Sequence, residues 1–252
     1  MAISIPALEA AAAEGWRAPE EGRLGDWLLR AADGFTGRAN SALATGDPGL
    51  PLAAAMDRVS EWYQARGLPA MVAVPFPLGR PQSTEVDRLL GERGWPIWAG
   101  PLTVMTAAPA AVARLAASAH VDLASEPDGD WLALSRDGDQ PPIVRRLLMS
   151  APWQAFASVR EAGQTLAVGR VAVAGEWAGL TDVKVHPEHR RRGLATAITA
   201  ALAAEAAARG VPGIYLQVAD GNAPARALYG RAGFANHHGY HFRIASASQG
   251  NG

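Results

Sequence analysis

Two stretches of this chain resemble one another, and any fold must accommodate both copies. "ARGLPAMVAVP" (Ala65–Pro75) is followed by "LLGERGW" (Leu89–Trp95), and "ARGVPGIYLQV" (Ala208–Val218) is followed by "LYGRAGF" (Leu228–Phe234). Apolar residues at spacings of three and four precede each copy: Leu52, Met56, Val59 and Tyr63 in the first, Leu194, Ile198 and Leu202 in the second. Such a stripe lines one face of an amphipathic helix. Each copy therefore reads as helix, Gly, short apolar strand, second helix, then Gly and an aromatic. Duplication with divergence is the economical explanation.

At 252 residues the chain has room for two domains of ordinary size. The repeat places their boundary in "TAAPAAVARLAAS" (Thr106–Ser118), giving a first domain over 1–115, a second over 116–247 and a disordered polar tail over 248–252. Past the boundary, "VDLASEP" reads as a strand and "DGDWLALSR" as a short helix. "PPIVRRLLMSAP" reads as another helix, with its prolines at the start, where a missing amide is harmless. "WQAFASVREAGQTLAVGRVAVAGEWAGLTDVKV" reads as a three-strand meander turning at "EAGQ" and "AGEW". The second half then runs β–α–α–β–β–β–α–β–α–β–β. The expected class is mixed α/β (α+β), with two domains that each carry a mainly antiparallel sheet flanked by helices.

Charge and composition exclude several roles. The net charge is -1, from 23 Lys+Arg against 24 Asp+Glu, which argues against nucleic acid as a partner. Cysteine is absent, so disulfides and thiolate metal sites are ruled out. No His/Asp/Glu set has metal-ligand spacing, so no metal is expected. No apolar run approaches the ~18 residues of a membrane span. The N-terminus lacks a basic region ahead of its apolar part. The expectation is a soluble cytoplasmic protein, monomer or homodimer, with no membrane partner.

Within this balanced charge stands "VKVHPEHRRRGLATAI" (Val183–Ile198), three arginines between a strand and a long helix. Pro187 ends the strand, since it cannot donate to a central ladder. The first amides of the following helix lack internal partners and carry partial positive charge. An anion fits there. Gly193 lets it approach the backbone, Ala195 and Thr196 keep the first turn open, and neighbouring guanidinium groups add charge-assisted bonds. The loop suits a diphosphate better than a solvated turn or a nucleic-acid patch.

The stretch Arg190-Arg191-Arg192-Gly193-Leu194-Ala195 resembles the acetyl-CoA motif Q/R-x-x-G-x-G/A of the GNAT acyltransferase superfamily. Ala178, Leu180, Val183, Val185 and Pro187 match that family's strand pattern. Asn222, Ala225, Tyr229, Gly233 and Phe234 match its pattern N-x-x-A-x-x-x-Y-x-x-x-G-F. The resemblance covers Val121 to Ala245 and implies acetyl-CoA lying between two splayed parallel strands, "GLTDVKV" and "GIYLQV". The backbone of Val183, Lys184 and Val185 would hold pantetheine, and the amides from Arg191 to Thr196 the diphosphate. Tyr229 would protonate the leaving thiolate. Asn222 suits a helix N-cap, a ligand contact, or both.

The general base stays open. The family's frequent Glu position is Gly179 here; Glu176 and Asp182 are the nearby carboxylates, and His237, His238 and His241 follow in the last two strands. Trp131 and Trp153 border the acceptor pocket or fill the core. The first half resembles a degenerate copy, with Asp47 where a phosphate would sit and Leu90 in place of Tyr229. Its Arg38, Asn40 and Ser41 either line a substrate cleft or form a polar strand and turn. The resemblance implies N-acetylation of a small-molecule or peptide amine, the alternative being a non-catalytic CoA-binding sensor or interaction module.

Overall fold

A computed structural model describes residues 3–116, 119–136 and 140–246. In chain order the elements are α1 (Ile5–Glu14), β1 (Glu20–Leu24), β2 (Trp27–Ala31), β3 (Ala42–Leu43), α2 (Leu52–Gln64), β4 (Met71–Pro77), α3 (Glu85–Glu92), β5 (Ile97–Ala107), α4 (Pro109–Val112), β6 (Asp122–Ala124), α5 (Gly129–Ser135), α6 (Pro142–Leu148), β7 (Trp153–Glu161), β8 (Gln164–Ala174), β9 (Trp177–Val185), α7 (Leu194–Ala208), β10 (Gly213–Ala219), α8 (Ala223–Arg231) and β11 (Ala235–Ile244). They divide into two compact units. The first holds the chain up to Ala7, Arg17–Thr103 and the residues from His237 on; the second holds Leu8–Trp16 and Val104–Asn236. The predicted tail over 248–252 and Ala117 and Ser118 of the predicted boundary segment lie outside the described residues. No helix among those residues is long and apolar enough to cross a membrane.

In the first unit the strands run in the order β1-β2-β3-β4-β11-β5. β3 and β4 are parallel, while β1–β2, β2–β3 and β4–β11 are antiparallel. The predicted stripe of α2 buries Met56, Val59 and Tyr63 completely, against Trp27, Val72, Val74 and Leu90. Fully burying side chains of this size stabilises by about 1.5–3 kcal/mol each. "ANHHGYHFRI" forms one ten-residue strand, not the expected two. Gly239 pairs with Phe76 across β11 and β4, and the Phe76 ring covers the glycine. The Asn-His-His-Gly run looks like a turn, but pairing along the full length of β4 overrides that local signal.

The second unit has the order β5-β10-β9-β8-β7-β6. Its meander is as predicted, with Ala162 and Gly163 (φ 49° and 81°) closing the first hairpin in the doubly left-handed turn that matches strand twist. Helix α7 buries Leu194, Ile198 and Leu202 together with Ala197, Ala203 and Ala206. Its small residues allow a close approach to the sheet: a Cβ at Gly169 of β8 would collide with Ile198. β9–α7–β10 then repeats the arrangement of β3–α2–β4, a parallel pair joined through a helix. Both units are mixed α/β with mainly antiparallel sheets.

Candidate functional site

β9 and β10 are paired from Trp177–Gly213 to Leu180–Leu216, and there the pairing stops. The cause lies on the other side of β9. Arg170 of β8 faces Thr181 and Val168 faces Lys184, so Asp182 and Val183 together oppose Gly169 alone. This is a β-bulge, and Asp182 adopts the left-handed conformation with φ 54°. A bulge bends its strand and re-aims the neighbouring side chains. Past it, Leu180–Val183, Leu216–Ala219, Asn222, Ala225 and Tyr229 line a cleft of about 210 Å³.

The loop from β9 into α7 holds the three arginines. Arg191 (φ 65°) and Gly193 (φ 77°, ψ 2°) are both left-handed, and Gly193 is the N-cap of α7. No side chain caps the helix, so the donors that open α7 are served neither by the helix nor by a capping residue. Arg190 and Arg191 are exposed. Arg192 is held differently: its guanidinium makes two bonds to Glu161 at 2.8 and 3.0 Å and lies 3.0 Å from His189 Nδ1. Its side chain ties the loop to β7, while its backbone stays in the turn. His186, Glu188 and His189 offer ligand atoms within 4.8 Å of one another, but the Arg192 cation seated on His189 opposes a dication there.

Helix α8 supplies the other wall. Asn222 caps it, accepting from the amide of Ala225 at 3.2 Å, so the capping role foreseen for Asn222 is real. About two turns further on, Tyr229 stands edge-on to Phe234, ring centroids 5.7 Å apart. Burial pushes the Tyr229 phenol up to about 12, because the low-dielectric surroundings disfavour the phenolate. At neutral pH this group is a proton donor.

The carboxylates separate clearly. Asp182 lines the cleft and is ion-paired to Arg136, the residue that ends α5, at 2.8 Å. Glu176 is exposed in the two-residue turn between β8 and β9 and does not line the cleft. The histidines of β11 belong to the first unit. His237 lies 2.7 Å from His238 and 2.9 Å from the Ile3 carbonyl, and His241 is 2.6 Å from Asp87. At Gly179 a Cβ would run into the phenol ring of Tyr215, whose residue is paired with Gly179 across β10 and β9. Arg136 and Tyr215 carry no motif in the chain: their partners are 46 and 36 residues away.

Other candidates are held by contacts within their own units. Trp131 is buried, donates Nε1–H to the Ala157 carbonyl at 3.0 Å and packs edge-on against Phe156. Trp153 carries the Arg209 guanidinium 3.4 Å above its ring. In the first unit Asn40 accepts from the amides of Ala32 and Gly34 and donates to the carbonyls of Phe35 and Thr36. Ser41 takes the Arg30 guanidinium on both its carbonyl and its hydroxyl, each at 3.0 Å. Asn40 and Ser41 therefore fix a tight turn.

Comparison with known proteins agrees with this geometry. Residues 3–243 match the family described as "Probable histone acetyltransferase Rv0428c C-terminal". The chain is similar to the uncharacterized N-acetyltransferase YobR of Bacillus subtilis, 27% identical over 251 residues that cover 95% of this chain and 98% of the relative. Its fold is similar to a GCN5-related N-acetyltransferase from Kribbella flavida (TM-score 0.71, 18% identity, 98% of each chain). It is also similar to a tandem GNAT protein from the clavulanic acid biosynthesis pathway (TM-score 0.62, 16% identity, 83% of this chain and 76% of that one). With its splayed strands, uncapped helix start and matching family profile, the chain belongs to the Rv0428c C-terminal family and is an N-acetyltransferase of the GNAT superfamily.

Proposed function

We propose that this protein moves an acetyl group from acetyl-CoA to a primary amine of a small molecule or peptide, in the cleft between β9 and β10. The observation that carries this reading is the divergence of those strands after Leu180 and Leu216, in a cleft closed on one side by Tyr229. The residues present fit the CoA group. Gly193 has no Cβ to obstruct a diphosphate, and the amides from Arg191 to Thr196 open a helix that no side chain caps. Arg190 and Arg191 add exposed charge, and the backbone of Val183, Lys184 and Val185, beyond the last residue pair of β9 with β10, would hold pantetheine. The thioester supplies the activated acetyl carbon. Tyr229 gives its proton to the sulfur as the carbon–sulfur bond breaks, and the strand backbone at the bulge offers donors to the carbonyl oxygen.

The first unit serves in this reading as the degenerate copy. Leu90, fully buried, stands where the second unit has Tyr229. The loop before its helix α2 is closed on itself: Asp47 accepts from the Gly49 amide and Asp26 accepts from the Asp47 amide, both at 2.8 Å. The acceptor is a peptide or small-molecule amine, and the family's description supports the peptide class.

Calorimetric titration with acetyl-CoA, followed by thiol release in the presence of spermidine, phenylethylamine and a basic peptide, tests the proposal. Binding with amine-dependent release is expected. Binding without release from any amine would instead support a CoA-binding sensor, and absence of binding would refute both.

A further inference from the structure

We propose that Asp182, held by Arg136, takes the proton from the acceptor's ammonium; this rests on the acetyl-transfer reading above. Four observations converge on it. Asp182 lines the cleft. It occupies the bulge in a left-handed conformation, which turns a side chain out of the regular alternation of β9. Its side chain is only 10% exposed, and Oδ1 accepts from Arg136 Nη2 at 2.8 Å. Oδ2 is shut away from water and has no hydrogen-bond partner among the described residues.

The preceding residue adds to the case. Thr181 also lines the cleft, and its buried Oγ1 likewise has no partner among the described residues. Buried polar oxygens without a donor are rare and costly. Two of them on consecutive residues that line a cleft favour a group that brings several N–H donors. A primary ammonium brings three. The Arg136 guanidinium holds the carboxylate in place through Oδ1, leaving Oδ2 for the acceptor.

The protons and electrons then balance as follows. The ammonium gives one proton to Asp182 Oδ2, and the freed nitrogen lone pair forms the carbon–nitrogen bond. The carbon–sulfur electron pair leaves with sulfur, which receives the Tyr229 proton. The second nitrogen proton restores the Tyr229 phenol, and Asp182 gives up its own proton once the acetylated product has left the cleft. Arg136 touches no reacting atom; it is a positioning residue. The other carboxylate near β9, Glu176, is exposed in a turn, and the β11 histidines are engaged within the first unit.

Two nucleophiles separate this role from a structural one: ethylamine, an ammonium at neutral pH, and hydroxylamine, which is already neutral there. Thiol release from acetyl-CoA is measured with each for the wild type, Asp182→Asn, Arg136→Met and Arg136→Lys. Acetyl-CoA affinity by calorimetry reports the integrity of the fold. For Asp182→Asn the ethylamine rate should fall about a hundredfold further than the hydroxylamine rate, the size of a lost general base. Arg136→Met should show the same split more weakly, and Arg136→Lys should restore part of it. Equal losses with both nucleophiles, or none with either, would overturn the proposal. So would a wild type that acetylates hydroxylamine but not ethylamine. If Asp182→Asn fails to bind acetyl-CoA, the Arg136 pair decides, and absence of the split there also overturns it. A wild type that binds acetyl-CoA and releases thiol with neither nucleophile would refute the acetyl-transfer reading itself.

Discussion

Replacing Tyr229 by Phe removes one oxygen and leaves the ring. The edge-on contact with Phe234 survives, so stability should change by less than about 1 kcal/mol, a shift of about 2–4 °C in Tm for a chain of this size. The proton for the departing sulfur is lost. Positioned acid catalysis contributes about 10²–10⁴-fold, or about 2.7–5.4 kcal/mol at 1.36 kcal/mol per decade. We expect kcat to fall at least about a hundredfold while the affinity for acetyl-CoA moves less than about threefold, because the phenol acts on the leaving group and not on the diphosphate. Stopped thiol-release assays give the first quantity and calorimetry the second. Since burial pushes the phenol up to about 12, the wild-type rate should show no loss from phenol ionisation through neutral and mildly alkaline pH. A Phe variant that keeps kcat within threefold would refute the acid role. A loss of affinity as large as the loss of rate would show instead that the hydroxyl only binds.

The same phenol predicts an alkaline limit on stability. Its folded value lies above its unfolded one, about 12 against 10.0, so its contribution is complete below pH 10 and is lost as pH rises through the folded value. Tyr229→Phe should remove up to about 2–3 kcal/mol of that loss, measured by urea unfolding at successive pH values. Gly193→Ala places a Cβ at φ 77°, costing about 1–2 kcal/mol, and should weaken acetyl-CoA binding about tenfold or more. Arg192→Ala breaks a half-exposed pair with Glu161 and a contact with His189; stability should fall by less than about 1 kcal/mol, and affinity less than for Arg190→Ala or Arg191→Ala. Asp87→Ala removes the anion that Arg243 and His241 share in the first unit, and leaving those groups without it should cost about 3–5 kcal/mol by urea melting. Burial alone would raise the Asp87 carboxyl, but bonds from Arg243 and His241 outweigh it and hold the group below the usual carboxylate range. Its contribution is therefore present above the unfolded value and lost as pH falls through the folded one.

Local patterns carried the features that depend on near neighbours. The α7 stripe, the Ala162-Gly163 turn and the Asn222 cap follow from spacing, turn chemistry and one side chain, and all three could be read from the chain alone. Features made by distant residues could not. The Arg136–Asp182 pair spans 46 positions, and the bulge at Asp182 arises from a register mismatch with β8 that no single strand reveals. Gly179 looks like a missing catalytic position, yet the glycine is required because the Tyr215 ring fills that space. Asp87, on a surface-looking helix, is buried because β11 brings a guanidinium and an imidazole to it from more than 150 positions away. The histidines of β11 looked available for chemistry for the same reason: their partners, Ile3 and Asp87, are remote in sequence.

A crystal structure with CoA bound tests the central claim most directly. The account predicts the diphosphate within hydrogen-bond reach of the amides between Arg191 and Thr196, with the sulfur in the β9–β10 cleft beside Tyr229. A diphosphate seated elsewhere, with that helix start facing only solvent, would contradict it.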